Sequence, residues 1–261
     1  ALVAVAAAQP VVVRQRQIAQ RADAQAFFVF DTSLSMSARS APGAPSRLAR
    51  AKREALRLWT RLGDIPAGIA SMTDRTLPNL LPTTDSALFA RTLRQSVGID
   101  RPPPSQQYRD RATAFQALLT IGDSHFFAPG VTHRILVVFT DGEASTLPDA
   151  TRIALPLQEH IPPLLVHVWQ SDERVYRGGK ADPRYQPDPT SGPTLTEFAS
   201  LTKGRAFGEH DVGRVASAIH AAAGKATART TVDAYARVAL APWLVLAGVV
   251  PLGFLFWRRN L

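Results

Sequence analysis

The chain has 261 residues, with 30 Lys and Arg against 21 Asp and Glu, a net charge of +9. Hydrophobic residues make up 46% and charged residues 20%, an ordinary globular composition that excludes wholesale disorder, a collagen-like repeat and a coiled coil. The absence of cysteine excludes a disulfide framework, a thiolate metal site and a Cys nucleophile, while the basic balance suits nucleic acid or an anionic lipid surface.

Residues 1–25 read as an apolar N-terminal segment and linker. Ala1–Val13 (ALVAVAAAQPVVV) is apolar but too short to span a bilayer. It reads as the end of a membrane helix; the remnant of a signal peptide and an apolar leader packed on the domain are the alternatives. Ala26–Phe30 (AFFVF) is a continuous apolar run, the pattern of a strand buried on both faces. Ser46–Leu62 is expected to be a helix capped by Ser46, with Leu48, Ala51, Ala55, Leu58 and Leu62 on one face. Ala67–Thr73 is a second strand, and Leu77–Leu81 its antiparallel partner on the sheet edge. Asp85–Ser96 and Ala112–Asp123 are helical. Arg134–Thr140 (RILVVFT) is the clearest strand in the chain. Asp149–His160 is a helix and Pro163–Gln170 another buried strand. Thr194–Thr202 is a short helix ended by Lys203-Gly204, as a glycine cap would end it. Arg205–Gly208 is a last strand and Asp211–Ala223 a last helix of the domain. Val97–Asp110 and Ser171–Pro193 read as long surface loops.

Strands alternating with helices imply right-handed crossovers and a Rossmann-like, doubly wound α/β fold, its sheet mostly parallel and covered on both faces. Its ligand site belongs at the carboxyl ends of the strands. Beyond this domain, Val238–Trp257 (VALAPWLVLAGVVPLGFLFW) carries no charge. About 20 apolar residues match the hydrocarbon thickness of a bilayer, with Trp243 and Trp257 near the ends and Arg258-Arg259 as a stop. A C-terminal transmembrane helix is expected there. The arginines of the tail favour a cytoplasmic C-terminus and a domain on the opposite side, but basic residues on the domain side leave positive-inside counting undecided.

The chemistry lies at two strand ends. Asp31-Thr32-Ser33-Leu34-Ser35 follows the first buried strand, and Asp141-Gly142-Glu143 follows the strong central one. In a parallel sheet both fall on one edge. Carboxylates and hydroxyls without Cys or His suit a hard cation, Mg²⁺ or Mn²⁺. On its own, the first motif could equally be a helix cap or turn; Asp141 on the partner strand tips the reading to metal. The set resembles the metal-ion-dependent adhesion site of the von Willebrand factor A (vWA) domain family, written D-x-S-x-S, then Thr, then Asp. The resemblance covers about Ala26–Ala223 and sets the domain at 26–226. It implies that Ser33, Ser35 and Thr113 touch the metal, and that Asp31 and Asp141 bind it directly or through water. Asp110 and Thr132 compete with Thr113 for the threonine position. The chain has Leu34 and Ala112 where the family often has glycine, which adds side chain beside the ion.

Two carboxylates neutralise a divalent cation and hydroxyls fill only part of its octahedron, leaving a position open to an acidic side chain of a partner. There is no G-x-S-x-G, H-E-x-x-H or P-loop motif, so an enzyme is not expected. A phosphohydrolase of the D-x-D type would lose its general acid to Ser33. The six histidines show no ligand spacing. Arg47, Arg50, Lys52, Arg53, Arg57 and Arg61 form a basic stripe on the first helix that reads as a solvated face, or else as a contact for acidic lipid or an acidic partner. Few aromatics interleave with these charges, which argues against nucleic acid. With its apolar flanks, the chain resembles bacterial Bat-type (aerotolerance-operon) vWA proteins encoded beside MoxR-type AAA+ ATPases. That resemblance implies a protein of the bacterial inner membrane with an extracytoplasmic domain. It also implies a role in assembling or maturing other proteins, with the ATPase and other vWA membrane proteins as partners. A structural membrane subunit with a degenerate metal site is the alternative.

Overall fold

A computed structural model of the chain describes residues 7–105, 113–123, 126–143, 156–157 and 161–259. The chain divides into two compact units, residues 20–230, and residues 1–19 with 231–261. Its strands are β1 (Val11–Arg21), β2 (Ala24–Asp31), β3 (Ala67–Met72), β4 (Thr76–Thr83), β5 (His133–Thr140), β6 (Pro163–His167), β7 (Tyr176–Arg177), β8 (Lys180–Ala181), β9 (Arg205–Gly208) and β10 (Arg229–Ala239). The helices are α1 (Arg47–Trp59), α2 (Ser86–Gln95), α3 (Leu119–Asp123), α4 (Ser191–Leu201), α5 (Val212–Ala223) and α6 (Ala241–Arg259).

The larger unit is built on a six-stranded sheet in the order β4-β3-β2-β5-β6-β9. All neighbours are parallel except the β3–β4 pair at one edge. From β2 the chain runs to β3 on one side and later returns to β5 on the other. The ends of β2 and β5 therefore flank the switch point, where α/β sheets bind ligands. The central strands alternate between two buried faces, which is why they read as unbroken apolar runs. Phe28, Phe30, Ile69, Val137, Phe139 and Val166 face α1, α2 and α5. Phe27, Val29, Met72, Leu136, Val138 and Leu165 face Phe115, Leu118 and α4. Phe30 stacks on Phe139 with centroids 5.0 Å apart. Gly68 is required where β3 passes this layer: a Cβ there would lie 2.6 Å from the Phe27 ring and 2.8 Å from the Leu80 carbonyl oxygen.

Local signals explain the elements. Ser46 caps α1 by accepting from the Ala49 N–H at 3.2 Å, and Asp85 caps α2 through the Leu88 N–H at 2.9 Å. The edge strand β4 carries Pro78 and Pro82, tolerable only at an edge. The expected helix over 112–123 starts later: Phe115–Leu118 is a 3₁₀ turn that runs into the short α3. Ala112 lies outside the described residues. So does the expected helix over 149–160, apart from residues 156–157, which are helical. The sheet loses β6 at His167, three residues before the expected Gln170, and α4 begins at Ser191 within the expected loop. The rest of that loop contains the β7–β8 hairpin.

The smaller unit redraws the elements near both chain ends. Val11–Arg21 is a strand, so Val11–Val13 of the apolar segment is extended, while residues 1–6 lie outside the described residues; β1 and β10 form a two-stranded sheet. The β-branched residues Val11–Val13 and Thr230–Val232 favour extended backbone. β10 takes Val238 and Ala239 from the expected span over 238–257, and α6 starts at Ala241. Pro242 falls in the first turn, where its missing N–H leaves no gap in the helix. Among the described residues no helix is long and apolar enough to cross a membrane.

Where the chain enters and leaves the larger unit, Arg21 is buried and donates to the Ala223 and Gly224 carbonyls at 2.7 and 2.9 Å. These are the orphan acceptors at the end of α5. The same guanidinium grips Asp23 at 2.8 and 2.9 Å, and Asp23 also accepts the Thr227 N–H and hydroxyl. Arg21 and Thr227 together hold the Asp23 carboxyl far below its ordinary value. A carboxyl depressed in the folded state stabilises above its unfolded value, near 3.8, and loses that contribution as pH falls below it. Asp23→Asn is therefore expected to lower the melting temperature at pH 7, with the gap to wild type narrowing below about pH 4. Melting curves from pH 3 to pH 8 check this.

Candidate metal centre

β2 ends on Asp31 and β5 on Thr140, so the parallel register delivers Asp31, Thr140 and Asp141 to one edge of the sheet. All three are fully buried. Asp31 Oδ1 accepts the Ser33 N–H at 2.9 Å, which folds the loop back over the strand end. The Thr113 hydroxyl donates to both Asp31 oxygens at 3.0 and 3.1 Å, and the Thr140 hydroxyl to Oδ2 at 2.7 Å. The Ser33 and Ser35 hydroxyls lie 3.0 Å apart. The five residues expected from the sequence, Asp31, Ser33, Ser35, Thr113 and Asp141, thus converge. Of the competitors for the threonine position, Thr132 bonds the Asp23 carbonyl at the opposite end of the sheet, and Asp110 lies outside the described residues. Leu34 is 40% exposed while Ser33 beside it is 3% exposed, so the leucine side chain turns outward to solvent.

The two acidic groups have different surroundings. Among the described residues, the hydrogen-bond donors to Asp31 are a backbone N–H and hydroxyls, all neutral. Burial, and then the charge of Asp141, push its carboxyl up to about 7. Asp141 has a cation: Arg47 Nη1 donates to its Oδ2 at 2.9 Å, and the Glu143 N–H donates to its Oδ1 at 3.0 Å. Its carbonyl lies 3.0 Å from His167 Nε2, which also reaches Ser191 Oγ at 3.2 Å. Gly142 has a φ of +72°, and a Cβ there would meet Leu195 and the Ser191 carbonyl. Glycine is needed for the chain to turn after the metal-side aspartate.

Arg47 corrects the reading of the basic stripe. It is fully buried, not solvated, and besides Asp141 it contacts Glu143 at 2.8 Å and Glu173 at 2.6 Å. Burial opposes its charge, but Asp141 and Glu143 outweigh burial and raise its basicity further. Arg50 is also buried and pairs with Glu173 and Glu209. Only the outer part of the stripe is exposed, with Arg53 and Arg57 reaching the buried Glu54. Glu143 accepts from Arg47, the Trp169 Nε1–H at 2.8 Å, the Tyr185 hydroxyl at 2.8 Å and the Asp188 N–H at 3.2 Å. With its oxygens occupied by donors, it is a clamp for the segment 169–188 rather than a ligand. Sequence spacing hides this network, because a buried arginine and a solvated one look alike on a helical wheel. Its one trace was Glu143 two residues after Asp141.

The donor set fits a hard divalent cation. Two buried carboxylates repel each other, and among the described residues Asp31 has no counter-charge in its hydrogen bonds. An unpaired buried charge is disfavoured by several kcal/mol. The hydroxyls of Ser33, Ser35 and Thr113 are oxygen donors of the kind Mg²⁺ and Mn²⁺ take. Among the described residues no three His, Cys, Asp or Glu side chains gather into a metal cluster, so such a site relies on hydroxyls.

No family model matches the sequence, and no curated protein matches it. Solved structures do match. BatB from Bacteroides thetaiotaomicron superposes with a TM-score of 0.62 at 21% identity, over 77% of this chain and 98% of that one. An aerotolerance-related membrane protein from Bacteroides fragilis gives 0.58 at 22% identity, over the same shares. A von Willebrand factor type A protein from Catenulispora acidiphila gives 0.50 at 13% identity, over 84% of this chain and 50% of that one. The chain has a vWA-type α/β fold. Within that class it resembles the Bat-type proteins.

The raised Asp31 carboxyl has a measurable consequence. A carboxyl raised from 3.8 to about 7 destabilises the fold as pH rises through that window, on the order of 4 kcal/mol when fully ionised. Without metal, Asp31→Asn is expected to raise the melting temperature at pH 8. The gain should vanish below about pH 3, where the wild-type carboxyl is protonated in both states. Melting curves in EDTA across this range check it, and a flat difference would contradict it.

Proposed function

We propose that the chain is an ion-dependent protein-binding module, with Mg²⁺ or Mn²⁺ held by Asp31, Ser33, Ser35, Thr113 and Asp141. The observation that carries this reading is the pair of fully buried carboxylates at the switch point, with the hydroxyls of Ser33, Ser35 and Thr113 beside them. The bound ion would supply Lewis acidity toward one outside oxygen ligand, and a carboxylate of a partner protein matches it in charge and hardness. Asp31 and Asp141 balance the charge of the ion; the threonine hydroxyls hold Asp31 in place. Asp141 is paired with Arg47, and the Asp31 carboxylate accepts from the hydroxyls of Thr113 and Thr140, both fully buried. That favours holding a ligand over turning it over. The outward side chain of Leu34 speaks against a degenerate site.

The Bat-type likeness extends the reading to assembly or maturation of other proteins, with a MoxR-type AAA+ ATPase and other vWA membrane proteins as partners. Attachment to the bacterial inner membrane, with the domain extracytoplasmic, rests on α6. Its Trp243, Leu246, Val249, Val250, Phe254, Phe256 and Trp257 are all exposed, an apolar surface that favours a lipid environment. Chains ending at residue 239 are expected to leave the membrane fraction if this attachment holds.

Metal dependence is tested by thermal unfolding in EDTA and then in Mg²⁺ or Mn²⁺. At about 100 times the dissociation constant, the ion adds about 2.7 kcal/mol, a rise of about 5–10 °C for a domain of this size. Asp141→Asn should abolish the rise, and Asp31→Ala should abolish partner capture in a pull-down. A wild type that melts identically in EDTA and metal would contradict the ion site.

A further inference from the structure

The ligand set leaves Arg47 unaccounted for. Burying a guanidinium beside a cation site works against the cation by charge alone, yet this one is fully buried and bonded to Asp141 itself. We propose that Arg47 is the positioning residue of the ion site, its planar fork locking Asp141, Glu143 and Glu173 into the one arrangement in which Asp141 faces the ion. This rests on the ion-binding reading above.

The geometry supports positioning over neutralisation. Nη1 is shared between Asp141 Oδ2 at 2.9 Å and Glu143 Oε1 at 2.8 Å, while Nε is held by Glu173 at 2.6 Å. The Glu143 backbone closes the loop by donating to Asp141 Oδ1. Both oxygens of Asp141 are thereby fixed, and each keeps a lone pair for the ion or its water. The guanidinium lies 5.9 Å from the centroids of the Trp169 and Tyr185 rings. Nor is the charge of Arg47 left over for the ion to meet: among the described residues, the two buried guanidiniums of Arg47 and Arg50 pair with four carboxylates, of Asp141, Glu143, Glu173 and Glu209. A lysine would keep the charge and lose the fork.

The test is Mn²⁺ titration of the full chain, with free Mn²⁺ read by its electron paramagnetic resonance signal, for wild type, Arg47→Lys and Arg47→Gln. Folding is followed by circular dichroism. Partners that orient metal ligands are worth about 10–100-fold in affinity, so both variants are expected to bind Mn²⁺ about 10–100-fold more weakly while keeping the native spectrum. If Arg47 acted by charge alone, Arg47→Lys would bind as wild type and Arg47→Gln more tightly; either result overturns the proposal. Arg47→Gln removes the cation shared by the carboxylates of Asp141 and Glu143, and should it fail to fold, Arg47→Lys decides alone. A wild type that binds no Mn²⁺ contradicts the ion-binding reading itself, a result distinct from wild-type-like binding by the variants.

Discussion

Everything at the functional edge of this protein depends on two carboxylates kept out of water side by side. Asp31 and Asp141 end adjacent parallel strands and are fully buried. Such a pair repels, and the fold answers the repulsion unevenly. Among the described residues Asp141 receives a guanidinium, whereas Asp31 receives hydroxyls and an amide. The unevenness gives the site its character. One acidic group is fixed in place by a cation, and the other has its ionisation opposed by burial and by its neighbour.

The sheet makes this arrangement without special backbone chemistry. Parallel strands bring their carboxyl ends to one edge, and the change of direction between β2 and β5 opens a crevice there. Phenylalanines on both faces bury these two strands, so the residues at their ends inherit a fixed position from the core. The helix after β2 then contributes Arg47 from its first turn. The segment 169–188 folds over it, pinned by Glu173 from below and by Glu143, Trp169 and Tyr185 from the side. The edge of the sheet at Asp141 and the segment 169–188 are in this way one hydrogen-bonded body, joined through Arg47 and Glu143.

How much of this could be read beforehand follows from the range of the forces involved. The order of strands and helices was legible, because burial on two faces leaves continuous apolar runs such as Ala26–Phe30 and Arg134–Thr140. The convergence of Asp31, Ser33, Ser35, Thr113 and Asp141 was legible too, since their positions follow from strand ends and a family pattern. Arg47 was not. It lies among four other basic residues on one helix, and the carboxylates of Asp141, Glu143 and Glu173, 94, 96 and 126 residues later, distinguish it. The strands near the chain ends were hidden for a similar reason. Val11–Val13 and Val238–Ala239 are apolar enough to suggest a membrane segment, and the pairing of β1 with β10 depends on a partner some 200 residues away.

The most direct measurement is anomalous scattering from crystals of the chain soaked in Mn²⁺. The account predicts one Mn²⁺ peak at the carboxyl ends of β2 and β5, with the hydroxyls of Ser33 and Ser35 as neighbours. Asp31 and Asp141 should lie within direct or single-water reach, and Arg47 should still be bonded to Asp141. An edge without such a peak at saturating Mn²⁺, or a peak bound elsewhere with Asp31 left on its threonines alone, would contradict it.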